Sequence, residues 1–309
     1  MDEYIEKDYF KGVNILACKK GEPVYRASYG YAEFKERKMD IDTVFDIASL
    51  TKIFTTTAIL ILITQECISL EHKIIKHLKF NNIEVKMKMR DITIKQLLCH
   101  NSGLIPWYPF YTKKTMEFED ILDIVLQKNP IEVNKVQYSD INFILLGKII
   151  ENVVGETLNA AMENLVFNPL ELKNTRYYPG NKNIAATEYG NRIERNMVLD
   201  RKLLFENFRS EDSPIVGEVN DGNCFYYFNG VSGHAGIFST LEDINVLCNL
   251  YLNNGKYNNY ILIDEHLVNQ SMIDYGGGRG LGWQISELFP NGVGHTGFTG
   301  TSIYIRPKD

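Results

Sequence analysis

The hydrophobic pattern changes twice along the chain. Near the N-terminus, Val13 to Cys18 and Pro23 to Tyr29 form two short apolar-rich runs separated by Lys19-Lys20-Gly21-Glu22. This predicts a β-hairpin in which Gly21 supplies the positive φ of the turn. Phe45 to Ala48 then reads as a short buried segment. Ile53-Phe54 and Ala58 through Ile63 follow, nearly all apolar. A helix from about Ser49 to Cys67 would be hydrophobic all round and therefore buried. Helical spacing dominates the middle of the chain. It predicts a short helix over Ile92 to His100, ended by Gly103 and Pro106, and an amphipathic one over Glu119 to Gln127, stopped at Asn129-Pro130. Ser139 can N-cap a helix to Val154 with Gly155 as its stop. Another runs from Leu158 to Val166. Residues 180–230 are polar, rich in Asn, Gly and Glu, and read as surface loops. Thr240 and Asp243 form a capping box for a helix to about Leu252. Strands follow at Leu281 to Ile285, Val293 to Thr296 and Thr301 to Arg306. The order hairpin, helices, strands fits an α/β (α+β) architecture, an antiparallel sheet from both chain ends flanked by helices plus a mostly helical region.

One tetrad on this frame carries candidate chemistry. Ser49 and Lys52 are three apart in Ser49-Leu50-Thr51-Lys52, so a helix places them on one face. A serine hydroxyl needs a base within hydrogen-bond reach to become a nucleophile. A partly desolvated lysine one turn away can serve. Alone, the tetrad is better read as a Ser N-cap with a surface Lys. The apolar helix behind it instead places Ser49 at an internal cleft, where the helix N-terminus favours an oxyanion.

Composition narrows the alternatives. The 309 residues are 44% hydrophobic and 23% charged, an ordinary globular balance. The formal net charge of −6 lacks the basic footprint of a nucleic-acid binder. Five cysteines occur without a C-x-x-C pair, which signals neither a disulfide framework nor zinc. Cys67, Cys99 and Cys248 fall among apolar residues and read as small core residues, and free thiols fit a reducing compartment. The six histidines show no ligand spacing, so no metal is expected. The N-terminus is acidic and polar, unlike a signal peptide. No apolar run approaches the roughly 20 residues that span a bilayer. These features point to a cytoplasmic protein, with export open if a leader precedes this chain.

Tyr138-Ser139-Asp140 and His295-Thr296-Gly297 follow the tetrad in order. With it they resemble the signature of class C β-lactamases, penicillin-binding proteins and related esterases. The segments Gln96 to Leu104, Gly230 to Thr240 and Gly294 to Ser302 also look like family segments. The resemblance extends from about Gly12 to Pro307. It implies a β-lactamase/transpeptidase-like fold, with residues 1–75 and 231–309 forming the sheet-bearing domain. Residues 76–230 form a mostly helical one, and the active site lies between them. It also implies Ser49 as nucleophile of an acyl-enzyme and either Lys52 or Tyr138 as the group that takes its proton. Asp140, His295, Thr296 and Gly297 would bind substrate, and the backbone N–H groups of Ser49 and Phe298 would form an oxyanion hole.

The chain departs from the pattern at two places. Asp140 stands where class C β-lactamases carry Asn, and an ionised Asp can only accept hydrogen bonds. His295 replaces a Lys common in the third motif and is only partly charged at neutral pH. Both weaken the case for β-lactams. The expected activity is therefore hydrolysis of an ester, amide or D-Ala-type peptide, esterase-like or DD-peptidase-like, without cofactor or metal. The expected partner is a small-molecule or peptide substrate, with no nucleic acid and no membrane span. His100 and His234 are expected to hold loops. Family members usually continue beyond the third-motif strands, whereas this chain stops at Pro307-Lys308-Asp309. A sheet edge left open there could be covered by a partner. A catalytically silent binding or sensor protein on the same fold is the alternative.

Overall fold

The computed structural model describes residues 1–307 apart from 34, 130, 133, 181 and 182. Pro130, Lys308 and Asp309, used in the readings above, lie outside the described residues. In chain order the elements are α1 (Asp2–Glu6), β1 (Gly12–Lys19), β2 (Glu22–Glu33), β3 (Arg37–Lys38), β4 (Phe45–Asp46), α2 (Thr51–Thr64), α3 (Ile83–Met89), α4 (Ile94–Leu98), α5 (Phe118–Lys128), α6 (Asp140–Val154), α7 (Leu158–Met162), α8 (Arg192–Asp200), β5 (Phe238–Ser239), α9 (Leu241–Leu252), β6 (Lys256–Tyr257), β7 (Tyr260–Ile261), α10 (Glu265–Ser271), β8 (Val293–Thr296) and β9 (Ser302–Ile305). Among the described residues, no helix is long and apolar enough to cross a membrane.

The opening hairpin forms as its turn chemistry dictates. Gly21 has φ 82°, and β1 pairs antiparallel with β2. The sheet is less continuous than expected. The strands form small antiparallel sheets, β1-β2-β3, β4-β5, β6-β7 and β8-β9. Helix α9 touches both β1 and β9 and so joins the two ends of the chain. Residues Leu281 to Ile285 do not form a strand. Gly282 is at φ 77°, and the segment makes only isolated bridges, Gln284 to Gly294 and Arg279 to Gln284.

Helix α2 is the axis of the core, with every residue from Thr51 to Leu62 buried. It is shorter than expected at both ends. Ser49 belongs to a 3₁₀ turn, Ala48–Leu50, that precedes it. At its far end Glu66 turns left-handed at φ 58°, and the Glu66 and Cys67 N–H groups bond back to Ile63 and Leu62. That reversal leaves Cys67 exposed rather than in the core, while Cys99 is buried. A capping box of Thr93 and Gln96 opens α4, which stops at Leu98 because His100 adopts φ 55°. Helix α6 ends at Gly155, φ 81°, as the glycine predicts. Ser139 occupies its N-cap position, but the hydroxyl donates to the Ile105 carbonyl instead of capping. Helix α7 continues as a π turn, Glu163–Phe167. At α9 only half of the capping box forms. Thr240 accepts from the Asp243 N–H, while the Asp243 carboxylate takes Asn174 N–H and the Thr175 hydroxyl.

Residues 180–230 are not plain surface loops. They contain α8, a π turn at Asn223–Tyr227, and buried Asn191, Asn220, Asn223 and Cys224. An aromatic cluster of Trp107, Tyr111 and Tyr226 packs there with Val198.

Candidate active site

The site is built on a strained turn. Ala48 has φ 45°, a left-handed conformation that costs energy in a residue with a Cβ. Asp46, buried beneath it, accepts the Ala48 N–H at 2.8 Å on one oxygen and the Asn220 N–H at 2.6 Å on the other. Burial pushes this carboxyl up to about 6, against the pull of those two N–H groups. From the far end of the chain, the Thr299 hydroxyl donates to the Asp46 carbonyl at 2.8 Å. Thr301 donates to the Ile47 carbonyl at 3.1 Å. A Cβ at Gly297 would come within 2.7 Å of the Ile47 carbonyl. The glycine therefore lets the third-motif strand lie directly against the turn that carries Ser49. Among the described residues, neither the Ser49 nor the Phe298 N–H has a hydrogen-bond acceptor.

Lys52 lies on the first turn of α2 and is wholly buried. Its Nζ donates to Ser49 Oγ at 3.0 Å and to the His234 carbonyl at 3.0 Å, and stands 2.8 Å from Asp140 Oδ1. Burial alone would favour the neutral amine. The Asp140 charge, with a contribution from Tyr138, outweighs burial and raises Lys52 above the ordinary lysine value. Tyr138 presents its ring 5.0 Å from this ammonium and its hydroxyl to Lys52 and Ser49. Burial raises the Tyr138 phenol; Asp140 adds to the rise and Lys52 opposes it.

Two histidines line Tyr138. The His100 ring is 4.6 Å away, with Nδ1 accepting the Ser139 N–H at 3.0 Å. Burial and the nearby cations hold it well below the usual histidine value. The His295 ring is 5.9 Å away, and its Nδ1 meets the Thr296 carbonyl at 2.8 Å. Nδ1 must therefore carry the proton, leaving Nε2 bare. Burial, helped by Lys52, pushes His295 down to about 3, so it supplies no positive charge. Arg279 lies over the Tyr138 ring at 5.2 Å. Thr296 and Phe298 are both exposed.

Ser49, Lys52, Tyr138, Asp140 and His295 thus share one cluster. Sequence reasoning did not single out Asp46, Asp221, Arg279, Thr299 or Thr301. An acid inside the apolar run Phe45 to Ala48 was the available signal for Asp46. His234 holds its loop: its ring bridges Asp221 at 2.9 Å and the Ser232 hydroxyl at 2.8 Å. Those contacts present its carbonyl to Lys52. Among the described residues, no group of three or more His, Cys, Asp or Glu is placed to hold a metal ion.

The whole chain, residues 1–309, matches the family model described as Beta-lactamase. An N-acetylmuramyl-L-alanine amidase of Bacillus subtilis (strain 168) is 32% identical, over 99% of this chain and 77% of that protein. A putative D-alanyl-D-alanine carboxypeptidase of Escherichia coli (strain K12) is 30% identical, over 99% and 79%. The solved structure of EstCE1, a hydrolase with promiscuous acyltransferase activity, shares the fold at a TM-score of 0.73 and 19% identity. That likeness covers 99% of this chain and 88% of that one. With a serine hydroxyl hydrogen-bonded to a wholly buried lysine and relatives of this kind, the chain belongs to the beta-lactamase family of serine hydrolases.

Proposed function

We propose that the protein cleaves an ester, an amide or a D-Ala-type peptide bond through an acyl-enzyme at Ser49. The observation that carries this reading is the 3.0 Å contact from a wholly buried Lys52 to Ser49 Oγ. Among the described residues, the backbone N–H groups of Ser49 and Phe298 have no acceptor. In this reading a substrate carbonyl oxygen takes the Ser49 and Phe298 N–H groups. Ser49 Oγ attacks the carbonyl carbon, and the Ser49 proton passes to the Lys52–Tyr138 pair. The pair returns it to the leaving amine or alcohol, and water then releases the acyl group by the reverse path. The cleft lies between the part built from residues 1–75 and 231–309 and the helical part of residues 76–230.

An acceptor at Asp140 and an uncharged His295 weigh against efficient use of β-lactams. The named activities of the amidase and the carboxypeptidase relatives favour an amide or peptide bond. The five free cysteines favour a reducing compartment such as the cytoplasm. Intact-mass spectrometry after incubation with a fluorophosphonate, and separately with a penicillin, tests the reading. Wild type should gain one fluorophosphonate adduct that Ser49→Ala lacks, and little or no penicilloyl adduct. A folded wild type that stays unmodified by the fluorophosphonate would leave a binding protein on a hydrolase scaffold.

A further inference from the structure

Of the two positions that depart from the family pattern, Asp140 is the one paired with Lys52. Asp140 is the first residue of α6, and its own N–H donates to the Pro106 carbonyl, which fixes its place at the helix end. Its side chain is 19% exposed, whereas that of Lys52 is 0% exposed, and the 2.8 Å contact between them is the only ion pair of Lys52 among the described residues. Ser49 Oγ and the His234 carbonyl take two of the three ammonium protons. Two hydrogen bonds and one ion pair therefore hold Lys52, and the ion pair favours its charged form.

We propose that Asp140 sets the charge state of the Ser49 site, holding Lys52 as an ammonium and Tyr138 as a phenol, so that the base for Ser49 forms only after the pair has lost a proton. This rests on the reading of Ser49 as a nucleophile activated by that pair. Asp140 is a positioning residue in this scheme, acting through Lys52 and Tyr138.

Among the described residues, no other carboxylate forms an ion pair with Lys52. The pair is faced by Ser49 and Lys52 from the α2 side, by Asp140 from α6 and by His100 from the end of α4. His295 faces it from β8, Arg279 from the bridge beside β8, and His234 from the loop before β5. His100 and His295 are neutral for the reasons above, and the His234 ring is turned to Asp221. Arg279 adds positive charge next to Tyr138. Asp221 feels Lys52 but is engaged by the His234 ring and the Cys224 N–H. With an amide or hydroxyl at position 140, Lys52 and Arg279 would face Tyr138 with no balancing carboxylate. Both groups would then release a proton more readily, Lys52 because it is buried and Tyr138 because it stands among cations.

The test uses protein labelled with ¹³Cζ-tyrosine, the Tyr138 resonance being assigned with Tyr138→Phe. Wild type, Asp140→Asn and Asp140→Ser are titrated, and the pH dependence of fluorophosphonate labelling is measured on the same samples. The two variants remove the charge with different side chains, so a failure of one to fold leaves the other. Because the pair is coupled, the lowest midpoint seen by the Tyr138 probe is compared. The expected result is a fall of about one pH unit or more in both variants, with the labelling profile displaced by the same amount. Midpoints that coincide with wild type in both variants would overturn the proposal. If Tyr138 shifts and no protein is labelled at any pH, the role of Asp140 stands and the acyl-enzyme reading falls.

Discussion

At the scale of single residues the site is a balance of buried charges. Lys52 is wholly buried and Asp140 partly so, and each offsets the charge of the other. Removing one partner of such a pair costs about 3–5 kcal/mol, because the other is left uncompensated, whereas removing both can be nearly neutral. Lys52→Met should therefore lower the free energy of unfolding by several kcal/mol as well as abolish labelling of Ser49. The double variant Lys52→Met/Asp140→Asn should regain most of the stability and none of the labelling. Urea denaturation of the wild type, both single variants and the double variant gives the coupling directly. Additive losses would show that Asp140 is solvated well enough to stand alone and that its tie to Lys52 is weak. The same balance explains the neutral His295. A protonated ring there would add another cation beside Lys52 and Arg279, and burial resists it.

At the scale of elements, the acceptor for Lys52 depends on backbone packing. The Gly233 backbone rests against α6 so closely that a Cβ there would come within 2.2 Å of the Phe143 carbonyl and 2.9 Å of the Gly147 nitrogen. The Thr55 hydroxyl and Lys52 Nζ donate to the successive carbonyls of Gly233 and His234. Gly233→Ala should push this loop off the helix. Overpacking of this kind costs about 1–3 kcal/mol, and labelling of Ser49 should slow because the His234 carbonyl moves. Gly155→Ala is the control. A Cβ there meets nothing within 4 Å, and its φ of 81° gives a strain cost of about 1–2 kcal/mol with no change in labelling. Equal effects of the two variants on labelling would remove the link between this packing and the site. These glycines also show where sequence reading stops. The hairpin at Gly21, the stop of α6 at Gly155 and the Ser49–Lys52 spacing follow from local turn chemistry and helical period, and all were legible. The loss of a strand at Leu281 to Ile285 was not. A Cβ at Gly282 would meet Thr56 Oγ1 at 2.1 Å, so a contact with α2 decides that backbone, and no window of neighbouring residues contains it. The clamp by Asp46, Thr299 and Thr301 was hidden for the same reason, since its partners are some 250 positions apart in the chain.

At the scale of the whole molecule, the charge balance reaches beyond the site. Asn220, Asp221 and Gly222 link three regions. The N–H of Asn220 goes to Asp46, the Asp221 carboxylate to His234, and the N–H of Gly222 to Glu194 at 2.8 Å. Glu194 also accepts from the Tyr111 hydroxyl at 2.9 Å. Burial, then the Asp221 charge, raises Glu194 from 4.5 to about 8, so the folded protein keeps a proton there that the unfolded chain releases. Stability from this group is complete below pH 4.5 and is lost as pH rises through about 8. His100 and His295 act in the opposite sense, but only below their ordinary value of 6.5, where unfolding lets them bind protons. Asp46 adds its own loss between 3.8 and about 6. The interval from pH 6.5 to 8 therefore isolates Glu194 from these three groups. Across it wild type should lose up to about 1.4 kcal/mol per pH unit. Glu194→Gln can keep both contacts, with its amide donating to Tyr111 and its carbonyl accepting from Gly222, and has no proton to lose. Its urea-unfolding free energy should match wild type near pH 4.5 and exceed it increasingly toward pH 8. Parallel curves over that interval would mean that Glu194 is already ionised in the folded protein. A second carboxylate charge would then stand beside that of Asp221, held by the Gly222 N–H and the Tyr111 hydroxyl.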